Sequence, residues 1–452
     1  MPLSSLMDNW KTAPRRSARI AERAGTSRNG SGLTTTTDGH ANPPPKLKEM
    51  QMAGVDHDSN NLRVVACSSR RKMKSSTPPF FPEEIIFNIL LCLPAEVLYN
   101  VMRYVCREWY NVINAPGFIN SHLQKLTDDS LIIRSCKSAN AWFVAIHNCN
   151  TQIRRLRSEF CGGFPRRVLC SCDGLLFLSC DDRKNLYVGN PITKQLLTLP
   201  PVSTMYRMFG SPQFTYARST GRYKAHLPVI ENVQSDFLNW LIFTVGTDSA
   251  WRSIETKHVP DFFAYTKSFS TGGYIYYTSP VEPHLLALDA DAEIFHQYTV
   301  PNVFREAIRT NFFEMSTRFN YIVWKSFLAF VAHSAEFVWE LWALTELNTG
   351  EWTRCFIIDL SGHIGLIEPL FDYRNAVCLK DEYYELPLDL RFIPVTSLKK
   401  GELVIFRGVI PFENYLVYNV KTGDVSSFVI GDCYGSSIFE RHVNSLVSWK
   451  VS

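Results

Sequence analysis

The chain has 452 residues, of which 46% are hydrophobic and 20% charged, which is enough to bury a sizeable core and excludes a wholly disordered protein. Its 47 basic and 43 acidic residues leave a formal net charge of +4, so charge alone does not indicate a polyanion-binding protein. The basic excess lies in the first 80 residues, which hold 13 Lys or Arg against 6 Asp or Glu. No apolar run is long enough to span a bilayer and no signal-peptide pattern opens the chain, so we expect a soluble, intracellular protein without a membrane partner.

Residues 1–79 are rich in Ser, Thr, Gly, Asn, Pro and charge, and they show no apolar period. This composition predicts a disordered, basic N-terminal tail. Two basic clusters lie in the tail, at residues 15–23 and 70–74. Such clusters are read by nuclear import receptors or contact nucleic-acid phosphates, and a solvated linker is the alternative. We therefore expect location in the nucleus, the cytoplasm or both, and we do not expect nucleic acid as a main partner.

Residues 80–126 predict a small all-α unit of three helices. The first follows Pro82 and stops before Pro94, the second begins near Ala95, and the third ends at a stop formed by Pro116 and its glycine. Their apolar stripes carry more surface than about 40 residues can bury among themselves. The rest of the chain or a partner must therefore cover part of this surface.

One pattern in this unit is specific: Pro-x-Glu, two hydrophobic residues, x-x-Ile-Leu-x-x-Leu-Pro, and after ten residues Val-Cys-Arg-x-Trp. It resembles the F-box, a family that usually opens with Leu-Pro where Phe81-Pro82 stands here. The resemblance implies docking on a Skp-type adaptor, and through it on the cullin and RING subunits of a ubiquitin ligase. Carried over by position, the residues expected to face the adaptor are Pro82, Ile85, Ile86, Ile89, Leu90, Leu93, Pro94, Leu98, Val105, Cys106 and Trp109.

Residues 127–452 change to short apolar or alternating runs separated by turn residues, which predicts an all-β domain. A short turn of Asn, Asp, Thr and Gly recurs between half-apolar strands, at residues 187–197, 216–223, 245–251, 288–295, 347–352 and 420–425. A hairpin repeated in this way indicates a β-propeller of about six blades, with a β-sandwich as the alternative. The predicted fold class is therefore α+β multidomain.

Three strings in the β region resemble a second family. Residues 171–176, Ser-Cys-Asp-Gly-Leu-Leu, and residues 190–194, Asn-Pro-Ile-Thr-Lys, followed by Leu199-Pro200, look like the opening of the F-box-associated domain behind plant F-boxes. The resemblance implies a plant-type F-box protein with a kelch- or propeller-like domain that holds a target protein. It carries no substrate-contact residues over.

Candidate substrate contacts therefore come from the residues alone. Tyr383 and Tyr384 lie in the acidic, aromatic stretch 381–385, and exposed tyrosine is common at binding surfaces. A solvated loop is the alternative.

No catalytic motif is recognised, and no cofactor is expected. The tightest cysteine group, Cys161, Cys170, Cys172 and Cys180, lacks the spacing of a zinc-binding pair, so buried strand thiols are expected instead. The sequence thus predicts a non-catalytic substrate-recognition subunit of a Skp-cullin-F-box ubiquitin ligase. The alternatives are a propeller scaffold whose F-box is only an adaptor or packing element, a propeller hydrolase or sugar-active enzyme, and a nuclear factor that binds nucleic acid through the tail.

Overall fold

The computed structural model describes residues 82–126, 129–135, 141–147, 150–155, 167–180, 185–208, 210–230, 238–254, 267–278, 284–301, 318–372, 386–409, 414–430 and 437–449. The predicted tail with its two basic clusters, Cys161, and the candidate contacts Tyr383 and Tyr384 lie outside these residues. All described helices and strands belong to one compact unit, residues 77–452.

The helical part has one helix more than the sequence predicted. Its elements in the described chain are α1 (Glu83–Leu90), α2 (Ala95–Asn100), a 3₁₀ turn (Met102–Tyr104), α3 (Arg107–Asn114) and α4 (Pro116–Lys125). The third helix ends at Asn114, just before Pro116, as predicted. The additional helix was not predicted: Pro116 is its first residue, where the missing N–H would have no intrahelical acceptor. Cys106 caps α3, since its Sγ accepts a hydrogen bond from the Trp109 backbone N–H at 3.5 Å. No single described helix is long and apolar enough to cross a membrane; α1 and residues 95–104 meet that test only as a pair bent by 119°.

Six antiparallel sheets follow the helices, and each is one blade of a propeller. From the innermost strand outward, blade 1 has β25 (Ser437–Val443), β1 (Asp129–Ser135), β2 (Ala141–His147) and β3 (Asn150–Arg155), and blade 2 has β4 (Arg167–Cys172), β5 (Leu175–Ser179), β6 (Leu186–Asn190) and β7 (Gln195–Thr198). Blade 3 has β9 (Gln213–Ala217) and β8 (Arg207–Met208), both paired with β10 (Arg222–Ile230), then β11 (Leu238–Thr244) and β12 (Arg252–Ile254).

The other three blades have four strands each. Blade 4 has β13 (Lys267–Thr271), β14 (Tyr274–Thr278), β15 (His284–Asp289) and β16 (Phe295–Thr299), and blade 5 has β17 (Phe319–Trp324), β18 (Phe327–Ala335), β19 (Val338–Glu346) and β20 (Glu351–Asp359). Blade 6 has β21 (Phe392–Leu398), β22 (Leu403–Gly408), β23 (Asn414–Asn419) and β24 (Val425–Val429). Helix α5 (Ile364–Leu370) and 3₁₀ turns at Ser361–His363, Leu388–Leu390 and Lys399–Gly401 lie between strands.

The ring closes where the last strand joins the first. Strand β25 pairs with β1 in antiparallel register, with Ile133 opposite Phe439, so blade 1 is built from both ends of the domain. The inner strands contact one another in the order β25, β4, β9, β13, β17, β21 and back to β25. Six sheets around one axis confirm the predicted propeller and exclude the alternative β-sandwich.

The recurring turns of the sequence have one physical cause in blades 2, 4 and 6. Asn190 Oδ1 accepts hydrogen bonds from the backbone N–H groups two and three residues later, at 2.7 and 3.2 Å. Asp289 and Asn419 make the same pair of bonds in the turns after β15 and β23. Such side-chain turns are the reason that Asn and Asp are favoured there.

The recurrence at 216–223 belongs to a different hairpin. It is the connection between β9 and β10, at the inner edge of blade 3, whereas the other five recurrences lie between the two outer strands of a blade. The sequence repeat therefore mixed two hairpin positions.

The segment after β25, residues 444–449, ties the helices to the propeller. The buried Asn190 amide donates to the backbone oxygens of Ser445 and Val447, at 3.0 and 2.8 Å. Leu446 packs in one cluster with Leu90 of α1 and Leu98 of α2. The Tyr99 hydroxyl adds a 2.8 Å bond to the Thr193 oxygen in blade 2. The apolar stripe of the helices is thus covered in part by the chain itself, as the sequence analysis expected.

Gly174, in the turn between β4 and β5, cannot accept a side chain. Its φ of +88° is disfavoured for L-residues, and an added Cβ would lie 2.7 Å from the Val443 oxygen and 2.8 Å from Ser445 Cβ. We expect Gly174→Ala to lower the free energy of unfolding by about 2–4 kcal/mol, because strain and overlap add. Gly423→Ala is the matched control, with φ +76° and open space around it, and should cost only about 1 kcal/mol.

Urea titration followed by tryptophan fluorescence measures both variants. If both variants lose the same free energy of unfolding, the close contact between Gly174 and Ser445 does not limit the size of the side chain at position 174.

Candidate functional site

The eleven predicted docking residues divide by burial. Pro82, Ile85, Ile89, Pro94 and Val105 are exposed, whereas Ile86, Leu93, Cys106 and Trp109 are half-buried. Leu90 and Leu98 are fully buried and pack with Ile113 and Phe118 inside the helical core. Their predicted adaptor-facing position is therefore corrected: the inner side of the same helical stripe is used by the chain's own core, which includes Ile192 and Leu446 of the β domain.

Three further exposed apolar residues were not among the eleven predicted docking residues. Val101 is 53% exposed, Tyr104 67% and Tyr110 49%. Val101 belongs by spacing to the α2 stripe, but α2 ends at Asn100, and the 3₁₀ turn that follows leaves Val101 and Tyr104 exposed. The available signal was the number of large apolar residues between 97 and 110, which exceeds what one short helix can bury.

We group the exposed apolar side chains of the helical part as one candidate docking surface, called here the helical face. Its members are the exposed apolar residues of α1, α3 and the segment between α2 and α3: Ile85, Ile89, Val101, Tyr104, Val105 and Tyr110. Isolated exposed apolar residues are ordinary on soluble proteins, but six within 26 residues of sequence are typical of a protein-binding surface.

One cation lies beside the helical face. The Arg103 guanidinium lies over the Tyr99 ring at 3.5 Å and over the Tyr104 ring at 4.6 Å. Desolvation opposes its charge, but hydrogen bonds and charge interactions with Tyr104 and Tyr99 outweigh this effect, and the pKa of Arg103 is raised. Stacking of this kind holds the tyrosines in place, which lowers the entropy that they would lose on binding a partner.

A second candidate site is the channel along the propeller axis. It has a volume of about 760 Å³, and all six inner strands and the end of α4 line it. Its charged lining residues are the cations Arg134, Arg218, Lys267, Lys325, Lys400 and Arg441, and the acids Asp129, Asp173 and Glu440. This volume falls within the range of pockets that hold small ligands.

Two of the three acids of the channel are bound by neighbours. Arg441 Nε lies 3.4 Å from Asp129 Oδ2, and the Tyr223 hydroxyl donates to Asp173 Oδ2 at 3.1 Å. Burial raises the pKa of Asp173, and burial raises the pKa of Glu440 to about 7 although the Arg134 charge opposes it. The negative charge of the lining is therefore weaker near neutral pH than a count of its acids suggests.

One polar pair in the channel wall has the composition of a nucleophile and a base. Ser171 Oγ lies 2.8 Å from His442 Nδ1, but burial lowers the pKa of His442 to about 4. A hydrolytic triad also requires a carboxylate that binds the second ring nitrogen of the histidine. Among the described residues, no carboxylate binds His442 Nε2. The pair fixes β25 against β4 and does not carry the chemistry of the hydrolase alternative.

Of the predicted buried strand cysteines, Cys170 on β4 is buried. Cys172 at the end of β4 is half-buried, and Cys180 is half-buried and follows β5, so the prediction is wrong for these two. Burial raises the pKa of both the Cys170 and Cys172 thiols, which keeps them protonated. In the described part of the chain, no three His, Cys, Asp or Glu side chains are grouped as metal ligands would be.

Comparison with known proteins gives a family match and several relatives. Residues 130–442 match the family described as F-box associated beta propeller domain. The chain is 22% identical to F-box protein At5g49610 of Arabidopsis thaliana over 69% of its own length and 87% of the relative. It is 33% identical to F-box protein CPR1 of the same plant, over 27% of this chain and 29% of the relative.

Coverage of the relatives is uneven. A third Arabidopsis thaliana F-box relative is 26% identical, and the chain spans 58% of its length. Among solved structures, a chain of the nidogen/laminin complex has a TM-score of 0.38 and 9% identity, over 70% of this chain and 99% of that one.

Proposed function

Because this chain belongs to the F-box-associated β-propeller family, we propose that it is a substrate-recognition subunit of a Skp-cullin-F-box ubiquitin ligase. The observation that carries the proposal is the helical face, which leaves Ile85, Ile89 and Val105 exposed directly ahead of the matched domain. These three residues occupy F-box positions expected to contact a Skp-type adaptor. Binding an adaptor would remove this apolar surface from water.

The contribution of this chain to the reaction would be proximity. A target held by the propeller and an adaptor held by the helices become parts of one complex, which raises the effective concentration of target lysines near the ubiquitin-conjugating enzyme. No catalytic side chain is needed for this role. A fixed distance between the two binding surfaces is needed, and the shared cluster of Leu90, Leu98, Ile192 and Leu446 supplies it.

The target would bind the propeller away from α4. The end of the channel next to α4 is bounded by helix residues Leu123 and Gln124, and Lys400 Nζ donates to the Gln124 oxygen at 3.4 Å. The target would bind at the opposite end of the channel, where the inner strands begin. The adaptor and the target would then occupy different sides of the molecule.

Charge substitution on the helical face tests adaptor binding. We expect Ile89→Asp to weaken affinity for a purified Skp-type adaptor at least 10-fold, about 1.4 kcal/mol, because an apolar contact would be replaced by a desolvated carboxylate. Ile294→Asp is the matched control, since Ile294 is 57% exposed in the turn between β15 and β16 of blade 4 and should bind normally.

Affinity is measured by calorimetry on full-length protein, with thermal melting to show that both variants are folded. Leu93→Asp and Trp109→Ala are weaker tests, because both side chains are half-buried and folding would change along with binding. Normal affinity of a folded Ile89→Asp variant would refute the assigned docking surface.

A second function is favoured by the same cluster that fixes the helices. The helices share a core with the β domain, so the F-box could serve only to pack against a propeller that binds a partner without directing its ubiquitination. Cullin in complexes purified with the chain separates the two functions: its presence supports the ligase subunit, and its absence alongside bound target supports the scaffold.

A further inference from the structure

Three cations of the channel lining, Arg218, Lys325 and Lys400, are exposed and form no close ion pair with the described residues. The charge of Arg218 acts on Asp173, whose pKa it lowers against the larger effect of burial. Lys325 lies over the Trp324 ring at 4.1 Å, and Lys400 donates to a helix carbonyl. Arg441, beside them, is by contrast paired with Asp129.

The three cations all lie where an inner strand turns back into its blade. Arg218 follows β9, Lys325 follows β17, and Lys400 lies in the turn after β21. These turns are neighbours, since Gly272 of the intervening turn approaches the Ser326 oxygen and Gly273 approaches the Tyr216 oxygen. The cations therefore belong to one rim around the mouth of the channel nearest α4, called here the basic rim.

Three lysines at the basic rim have backbone conformations that are unfavourable for lysine. Lys325 has a φ of 56°, and Lys399 and Lys400 have 51° and 54°, all in the left-handed region where Gly, Asn and Asp are favoured. Lysine at such positions costs free energy that a glycine or asparagine would save. Unfavourable backbone conformations of this kind concentrate at ligand-binding sites.

The charge of the channel is opposite to that of the domain around it. Six cations and three acids line the channel, whereas residues 81–452 as a whole carry 34 Lys or Arg and 37 Asp or Glu. Hydroxyl groups of Ser270, Thr271 and Ser326 also line it. A cleft that concentrates one sign of charge attracts ligands of the opposite sign.

We propose that the basic rim and the channel behind it bind a small, multiply charged anion carrying phosphate or carboxylate groups. Arg218, Lys325 and Lys400 would contact its charges, and the hydroxyls of the lining would contact its polar groups. A small molecule is favoured over an acidic protein segment because residues of α4 border this mouth and the cavity holds only about 760 Å³. The site is separate from the helical face.

Calorimetry with inorganic tripolyphosphate tests this site on the full-length chain. We expect saturable binding at one site, with affinity reduced at least 10-fold in Lys325→Asn and in Lys400→Asn. Asparagine is chosen because it tolerates a left-handed backbone, so the turns should be retained. Lys194→Asn is the matched control: Lys194 is exposed, has a φ of 56° and lies outside the channel.

Thermal melting of each variant without tripolyphosphate shows whether the fold is intact. A second titration uses an octaglutamate peptide in place of an acidic protein segment. Loss of binding in the two rim variants but not in the control supports the site. The proposal is overturned by absence of saturable binding, by equal losses in all three variants, or by binding of octaglutamate without tripolyphosphate.

Discussion

Replacing Asn190 with alanine is expected to lower the free energy of unfolding by about 3–5 kcal/mol. The side chain is fully buried and makes four hydrogen bonds to backbone atoms. Two fix its own turn in blade 2, and two fix the segment after β25. Alanine would leave the buried oxygens of Ser445 and Val447 without these donors, and each such loss costs about 1–3 kcal/mol.

Asn419→Ala is the matched control for this change. Asn419 makes the same two turn bonds in blade 6, to the N–H groups of Lys421 and Thr422, but it is half-buried and does not bind the C-terminal segment. We expect it to cost about 1 kcal/mol, as loss of a local side-chain cap does. The difference between the two variants isolates the contribution of the C-terminal segment.

Guanidinium unfolding and hydrogen exchange of residues 437–449 measure the two effects. In Asn190→Ala, β25 should exchange faster, because the residues that follow it are no longer held in place. Equal stability losses in Asn190→Ala and Asn419→Ala, with unchanged exchange of β25, would contradict this role of Asn190.

Replacing Phe118 with alanine is expected to cost about 3–5 kcal/mol and to weaken adaptor binding at the same time. Phe118 is fully buried in α4, and its ring meets Phe87 of α1 edge to face at a centroid distance of 5.2 Å. One turn further along α4, His122 Nε2 contacts the Leu93 oxygen at 2.9 Å. Helix α4 therefore holds α1 in position through these two contacts. A cavity at Phe118 would loosen α1 and displace Ile85 and Ile89 of the helical face.

Tyr110→Ala is the contrasting variant, because it removes an exposed side chain of the helical face and leaves the core intact. Its stability should stay within about 0.5 kcal/mol of the unaltered protein while adaptor affinity falls. Urea unfolding and calorimetry with the adaptor give both values. If Phe118→Ala loses stability but binds the adaptor with full affinity, α4 does not support the docking surface.

Periodicity located the helices but could not divide their apolar residues between core and surface. Ile89 and Leu90 are adjacent in one stripe, yet Ile89 is 49% exposed and Leu90 is fully buried. Leu90 belongs to a core cluster that includes Phe118 of α4 and Leu446, more than 350 residues away. A local pattern has no information on a contact of this sequence separation.

The sequence predicted the turns that Asn and Asp side chains stabilise, but it did not predict the hydrogen bonds from Asn190 to the C-terminal segment. Asn and Asp at strand ends correctly indicated repeated hairpins, because their side chains bond to the next N–H groups in the chain. That Asn190 also holds the C-terminal segment depends on ring closure through β25 and β1. The basic rim was likewise hidden, since Arg218, Lys325 and Lys400 come from three blades and are brought together only by the ring.

Reconstitution of the ligase tests whether this chain is its substrate-recognition subunit. The purified chain is mixed with a Skp-type adaptor and a cullin–RING pair, and the molar mass of the complex is measured by light scattering after size exclusion. We expect one copy of each subunit in the complex. The Ile89→Asp variant should be missing from it, and the Ile294→Asp variant should be retained. A folded chain that never joins the adaptor and cullin, or joins them equally well in both variants, would contradict this role.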